Sequence, residues 1–387
     1  MTADETIAPD SPRATRPKDR KQQILSAAAD LFVRDGFPQV TMGAIAEKVG
    51  ITAGALYRHY PNKAELLASV VRRSFESFPP VERNAPFDEV IADSCSVAVS
   101  HRELSPLWTR QLQYLPVDDQ TELRARLRAM NRAFGELIRS RREDLTAREA
   151  GLLAWSIQSI LASPGHFTVS IPQPEFAAQL ASACHSVAFA DIVGSKRSST
   201  KRDAVLRPAS RRERLLQGAI TLFGQNGIHK TSMEDIGAAA GVSGPSLYTH
   251  FDSKEAILDA ALDRGTHTLW ITLNSALRSN DDPRNALREI VHGYVELVNS
   301  WLSIATLAAS PLGAPKSAKA QQREYVGEWV ALLRECRSDL DKAQAQVLVH
   351  AALAVIHDGS RGSRKVDFSI GDLQILATAV LGLSAVD

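Results

Sequence analysis

One seventeen-residue stretch occurs twice in this chain. ITAGALYRHYPNKAELL at 51–67 returns as VSGPSLYTHFDSKEAIL at 242–258, displaced by 191 positions without a gap. Leu56, Tyr57, His59, Lys63 and Leu67 thereby fall on Leu247, Tyr248, His250, Lys254 and Leu258. The correspondence extends outward: Lys21–Ala68 laid on Arg212–Asp259 gives 13 identities in 48. A gapless match over that length marks one structural unit present twice. Two copies make a tandem pair rather than a stacked solenoid, which needs three repeats or more. A chain of 387 residues also exceeds what one hydrophobic core usually serves, so two domains or more are expected.

The repeated unit reads as three short helices and the start of a longer one. Ile24, Leu25, Ala28, Leu31 and Phe32 recur at helical spacing, and Gly36 supplies a stop. Thr41 is placed to cap a second helix whose inner face holds Met42, Ile45 and Val49. Gly50 breaks that helix, and Thr52 caps a third from Ala53 to His59. Asn62 caps the fourth, with Glu65 completing a capping-box-like pair. Copy two repeats the scheme with Ser232, Gly241, Ser243 and Ser253. Helix formers at helical spacing fill long stretches elsewhere, such as 118–142 and 321–337, and no alternating strand pattern appears. An all-α fold is therefore expected. A linker is marked by Gly194–Ser210, rich in Ser, Lys and Arg, within a stretch Gly194–Arg214 that has eight basic and two acidic residues. The expected division is a disordered arm at 1–17, a headpiece at 18–67 and a helical domain at 68–193. A basic linker at 194–210, a second headpiece at 211–258 and a second helical domain at 259–387 follow.

Two helices, a tight turn containing glycine and a further short helix form a helix-turn-helix, whose last helix enters the DNA major groove. The residue types suit double-stranded DNA as partner. Thr52, Ala53, Gly54 and Ala55 are small enough for close approach. Arg58 can pair with guanine. Tyr57 and His59 offer polar tips for phosphate oxygens, as do Thr41 and Lys63 near helix N-termini. The copy-two set is Ser232, Ser243, Gly244, Pro245, Ser246, Tyr248, Thr249, His250 and Lys254. Thr249 can touch a thymine methyl or a phosphate, so two unlike half-sites are expected. Other roles remain open for these residues: Tyr57 and Tyr248 as core aromatics, His59 and His250 as caps, Lys63 and Lys254 as solvated lysines. Leu56 and Leu247 read as core.

These residues resemble the DNA-binding signature of TetR-family transcriptional regulators. The pattern runs through Thr41, Gly50, Leu56, Tyr57, His59, Tyr60 and Lys63, and again through Ser232, Gly241, Leu247, Tyr248, His250, Phe251 and Lys254. The resemblance covers about a quarter of the chain. It implies two tandem units, each a three-helix headpiece followed by a helical ligand and dimerisation domain. RPKDRKQQIL, LWTRQLQYL and the duplication are similar to tandem-domain repressors of mycobacterial mce lipid-uptake operons. That narrower likeness implies a repressor of lipid or sterol transport or metabolism genes, responsive to a lipid- or CoA-derived effector.

TetR-family proteins act as homodimers, so two headpieces in one chain imply an intramolecular pseudo-dimer, with further self-association open. The late helices, about 146–164 with 172–193 and 342–359 with 370–384, are expected to pair. LLAWSIQSILA and AQVLVHAALAVI carry the apolar surface for it. By the same resemblance an effector lies among the middle helices, near His101, Trp108, Arg110, Gln111 and Tyr114 in the first half. In the second half the residues are Trp270, Tyr294 and Trp301. The alternative reading is a sensor or protein-interaction module whose second headpiece leaves DNA alone, motivated by the acids Glu234, Asp235, Asp252 and Glu255.

Composition excludes several classes. Hydrophobic content is 44% and net charge +1, and no run reaches the roughly 18 apolar residues of a membrane span. The N-terminus lacks the apolar core of a secretory signal. Cys95, Cys184 and Cys336 lie far apart without metal-ligand spacing, which suits a cytoplasmic chain with free thiols. No catalytic triad pattern, Gly-rich phosphate loop or His-x-x-x-His spacing occurs, so neither an enzyme nor a cofactor is expected.

Overall fold

A computed structural model describes residues 17–102, 114–192, 208–226, 228–242, 244–300, 316–361 and 368–383. All regular elements among them are helical. The first half holds α1 (Pro17–Asp35), α2 (Met42–Val49), α3 (Ala53–His59), α4 (Lys63–Glu76) and α5 (Phe87–Ser100). It continues with α6 (Val117–Arg139), α7 (Ala147–Ala162) and α8 (Gln173–Ala188). The second holds α9 (Arg211–Asn226), α10 (Met233–Ala240), α11 (Gly244–Tyr248), α12 (Lys254–Ser279) and α13 (Pro283–Ser300). It ends with α14 (Lys316–Cys336), α15 (Lys342–Arg361) and α16 (Ile370–Val380). No described helix is long and apolar enough to cross a membrane.

The chain divides into two compact units. One comprises Met1–Phe78 with His101–Leu127, the other Pro79–Ser100 with Arg128–Asp387. The division expected at the basic linker is not the one that compactness draws, because the second headpiece stays with both helical cores.

In the first unit α1 packs on α2 and α4, and α2 on α3. Ile24, Leu25, Phe32, Ile45, Leu56, Leu66 and Val71 form its core, joined by Leu115 and Leu123. Local chemistry sets the helix ends. The Thr41 hydroxyl accepts from the Ala44 N–H at 3.1 Å, and that of Thr52 from Ala55 at 3.2 Å. The Asn62 side-chain oxygen Oδ1 accepts from Glu65 N–H at 2.8 Å. The reciprocal bond expected of the Glu65 side chain is absent among the described residues. Gly50 has φ 71° and ψ 38°, a left-handed conformation that costs a residue with Cβ about 1 kcal/mol. The chain reverses there as Ile51 N–H reaches the Ala46 carbonyl at 3.0 Å.

The second unit contains the same headpiece again, with α9 on α10 and α12 and α10 on α11. Gly241 has φ 65°, and Val242 N–H bonds to the Gly237 carbonyl at 2.9 Å. Ser232 and Asp235 form a complete capping box, and Ser253 accepts from Ala256 N–H at 3.1 Å. Ser243 lies outside the described residues.

Beyond it, α7 and α8 pack against α15, and α8 also against α16. The late helices of the two halves therefore meet within one chain. Their sequences explain it: Leu152, Leu153, Ile157, Ile160 and Leu161 bury nearly every face of α7. Val347, Leu348, Ala352, Val355 and Ile356 do the same for α15. Buried Ser156 and Ser159 donate to carbonyls one turn back, at 3.1 Å each. Phe167, just after α7, stacks on His350 of α15 with centroids 4.1 Å apart and 7° between planes. Cys95 of α5 and Cys184 of α8, distant in sequence, are buried side by side.

Candidate nucleic-acid interface

Each recognition helix is fixed by one buried leucine and displays the residues beside it. Leu56 and Leu247 are core residues, as expected. Tyr57 and Tyr248 are 52% and 51% exposed, so neither is a headpiece core aromatic. The buried aromatics are the next ones along, Tyr60 and Phe251. Thr52, Ala53, Gly54, Arg58 and His59 are exposed and Ala55 partly so. A β-carbon on Gly54 would meet nothing within 4 Å, which leaves the face open to an approaching backbone. Thr41 and Ser232 are exposed at the second-helix N-termini.

The two faces differ in chemistry. Arg58 makes no hydrogen bond or ion pair among the described residues, so all its donors are available. At the equivalent position the Thr249 hydroxyl donates to the Ser246 carbonyl at 2.7 Å. That proton is used within the helix, so a phosphate contact there lacks its donor and the methyl group remains. The side chains of Gly244 and Pro245 lie outside the described residues, while Ser246 and His250 are partly buried. In copy two the Asp235 carboxylate accepts from both the Ser232 N–H at 3.0 Å and hydroxyl at 2.8 Å. These bonds hold the Asp235 carboxyl below the usual carboxylate range.

Lys63 and Lys254 are placed differently from the phosphate contacts or solvated lysines expected of them. The Lys63 ammonium donates to the carbonyls of Phe37 at 2.6 Å, Val40 at 2.7 Å and Pro38 at 3.4 Å, and lies 4.4 Å over the Phe37 ring. Three donors meet three acceptors, and burial lowers its pKa. Lys254 donates to Ile228 at 3.0 Å and Thr231 at 3.3 Å. Each lysine ties the loop after the headpiece's first helix to the start of its fourth. Sequence reading missed this because the acceptors are main-chain atoms, which leave no trace in residue type.

The ligand-side residues scatter. Trp108, Arg110, Gln111 and Trp301 lie outside the described residues. His101 is exposed just beyond α5. Tyr114 is exposed and stacks on Phe37 of headpiece one at 5.1 Å, not in a helical core. Trp270 and Tyr294 do come together, around Tyr325, Trp329 and His357. Tyr325 is edge-on to Trp270 at 5.9 Å, Tyr294 is edge-on to Trp329 at 5.5 Å, and the Tyr294 hydroxyl is 2.8 Å from His357 Nε2. Among the described residues the Tyr325 hydroxyl and Trp329 indole N–H are buried without a well-formed hydrogen bond. Burial pushes the Tyr325 hydroxyl far above its ordinary pKa. Tyr325 and His357 were not singled out from sequence, where their helical spacing marks only a core face. No described group of His, Cys, Asp and Glu could hold a metal ion.

Comparison with known proteins matches this geometry. The profile of "Bacterial regulatory proteins, tetR family" fits residues 24–70 and 215–261. The transcriptional repressor KstR of Rhodococcus jostii RHA1 is 35% identical over 81 residues, 21% of this chain and 38% of that protein. The transcriptional activator FasR of Mycolicibacterium smegmatis is 36% identical over 107 residues, 27% of this chain and 49% of that protein. The chain thus spans less than half the length of either relative. A TetR-family regulator from Bordetella parapertussis, known by crystal structure, aligns at 24% identity with TM-score 0.40. That alignment covers 46% of this chain and 95% of that one. Two segments of the chain, one in each headpiece, thus match the domain of the tetR family of bacterial regulatory proteins.

Proposed function

We propose that the protein is a sequence-specific, ligand-responsive DNA-binding regulator, acting as a repressor, whose two headpieces read unlike half-sites of one operator. The observation that carries it is the paired exposure of Tyr57 and Tyr248 beside buried Leu56 and Leu247, on helices each preceded by the same glycine turn. Phosphate contacts from these tyrosines position the protein, and neighbouring residues read bases. Unlike half-sites follow from Arg58, with free donors suited to guanine, against Thr249, whose methyl suits thymine.

The packing of α7 and α8 on α15 and α16 supports an intramolecular pseudo-dimer, in which one chain supplies what a homodimer supplies elsewhere. The aromatic group around Tyr294 and Tyr325 supports an effector of mostly apolar character in the second half, its buried hydroxyl and indole N–H offering polar anchors. Control of lipid or sterol genes rests on the likeness to tandem-domain mce repressors. By linkage, such an effector releases DNA only as far as it favours the headpiece arrangement that does not bind.

Footprinting of the full chain on its own upstream DNA, with the mass of the complex, tests the reading. One chain protecting one site with unlike halves is expected. Two chains on a symmetric site would remove the pseudo-dimer, and no protection would remove the regulator.

A further inference from the structure

The two headpieces close the junction of their first and fourth helices differently. In headpiece two, Glu213 of α9 and Arg264 of α12 form a two-pronged ion pair, with Nη2 donating to Oε1 at 2.7 Å and Nη1 to Oε2. The guanidinium holds the Glu213 carboxyl below its usual range. The equivalent positions in headpiece one, 191 residues earlier, are Gln22 of α1 and Arg73 of α4. Gln22 carries no charge. The Arg73 guanidinium has no hydrogen-bond or ion-pair partner among the described residues.

Where the carboxylate is missing, a groove opens. It measures about 580 Å³ and is lined by Lys21, Gln22 and Leu25 from α1 and Ser69, Arg72, Arg73 and Glu76 from α4. Arg72 is already engaged, at 2.6 Å from Asp119 and 3.6 Å from Glu122. Lys21 and Arg73 remain against the single carboxylate of Glu76. A second difference accompanies the first. Tyr60 is 4% exposed, its hydroxyl has no hydrogen-bond partner among the described residues, and it lies within the field of Arg73. Headpiece two has Phe251 at that position, with the Arg212 guanidinium 4.6 Å over its ring. Two substitutions, Gln22 for Glu213 and Tyr60 for Phe251, therefore separate a junction with an uncompensated guanidinium from a neutralised one.

We propose that the α1–α4 groove of headpiece one binds a small aliphatic monocarboxylate, whose carboxylate takes at Arg73 the place that Glu213 takes at Arg264. A planar guanidinium favours a carboxylate held at two oxygens. Lys21 and Ser69 add donors, and Leu25 with the arginine and lysine stems offers apolar surface to a short hydrocarbon tail. Glu76 disfavours a second negative charge, which selects a monoanion over a phosphate dianion. The bound acid would tie α1 to α4 in headpiece one, as Glu213 does permanently in headpiece two. Its residues are distinct from those of the aromatic group in the second half.

Isothermal titration of the full chain with hexanoate tests this, with hexan-1-ol and inorganic phosphate as controls. The wild-type chain should bind one hexanoate that hexan-1-ol does not displace. Gln22→Glu, which supplies the missing carboxylate internally, should weaken that site by about tenfold or more. Glu213→Gln, if circular dichroism shows it folded, should add a second site. Undiminished binding to Gln22→Glu, or no binding to wild type, would overturn the proposal. Equal competition by phosphate would overturn the carboxylate assignment. Because the readout is hexanoate itself, a chain that fails to bind DNA leaves this result standing.

Discussion

Lys63 carries its charge into the base of a loop, where three carbonyls surround it. Replacing it with Met keeps the stem and removes the donors, leaving buried acceptors unpaired at a cost of roughly 1–3 kcal/mol. Lys63→Met should lower the melting temperature and speed amide exchange in 37–40. It should leave the slope of log affinity against log salt for DNA unchanged, because no phosphate contact is lost. A shallower slope with unchanged melting would restore the phosphate role. Tyr57 and Tyr248 behave oppositely. Both are half exposed, so Tyr57→Phe and Tyr248→Phe should leave melting alone. Each should weaken DNA binding by about 1 kcal/mol, or several-fold, through a lost phosphate hydrogen bond. Since Lys254 is bonded to carbonyls, Tyr248→Phe is the cleaner probe of headpiece two. No change there would favour the reading in which that headpiece leaves DNA alone.

At the scale of elements, what could be read from sequence was what a residue does to its own neighbours. Thr41, Thr52 and Asn62 cap the helices they precede, and Gly50 and Gly241 take the left-handed turn that breaks them. These are bonds across three residues, so residue type and spacing suffice. Contacts between elements were not legible. Tyr114 was expected among middle helices and instead stacks on Phe37, and nothing in its spacing distinguishes the two. The α1–α4 groove was invisible too, since it depends on how side chains of two helices come together around Arg73. The turn allows a clean test. A β-carbon at Gly50 would meet nothing within 4 Å, so Gly50→Ala adds backbone strain and no clash. It should cost headpiece one about 1 kcal/mol in thermal unfolding, and Gly50→Asn less, because asparagine tolerates the left-handed region better. Equal losses in both would point to a steric cause instead.

Across the whole molecule, the halves meet through helices whose apolar runs announced a buried face without naming its partner. LLAWSIQSILA and AQVLVHAALAVI are hydrophobic on every side, which is why pairing could be expected. That the second headpiece shares a compact unit with both cores could not be expected, since compactness depends on long-range packing. Nor could the stacking of Phe167 on His350, which joins the two halves and makes their contact sensitive to acid. Burial lowers the His350 pKa from 6.5 to about 4. The unfolded chain takes up a proton as pH falls below 6.5, while the folded chain resists until about pH 4. Stability is therefore intact above pH 6.5 and falls progressively across that window, by roughly 3 kcal/mol in all. Denaturant melts of the wild-type chain should show this loss. His350→Leu, which keeps an apolar side chain at the contact and cannot titrate, should flatten the curve over the same range. If the slope persists in His350→Leu, the acid sensitivity belongs to another group, and the Phe167–His350 stack is not what couples the halves to pH.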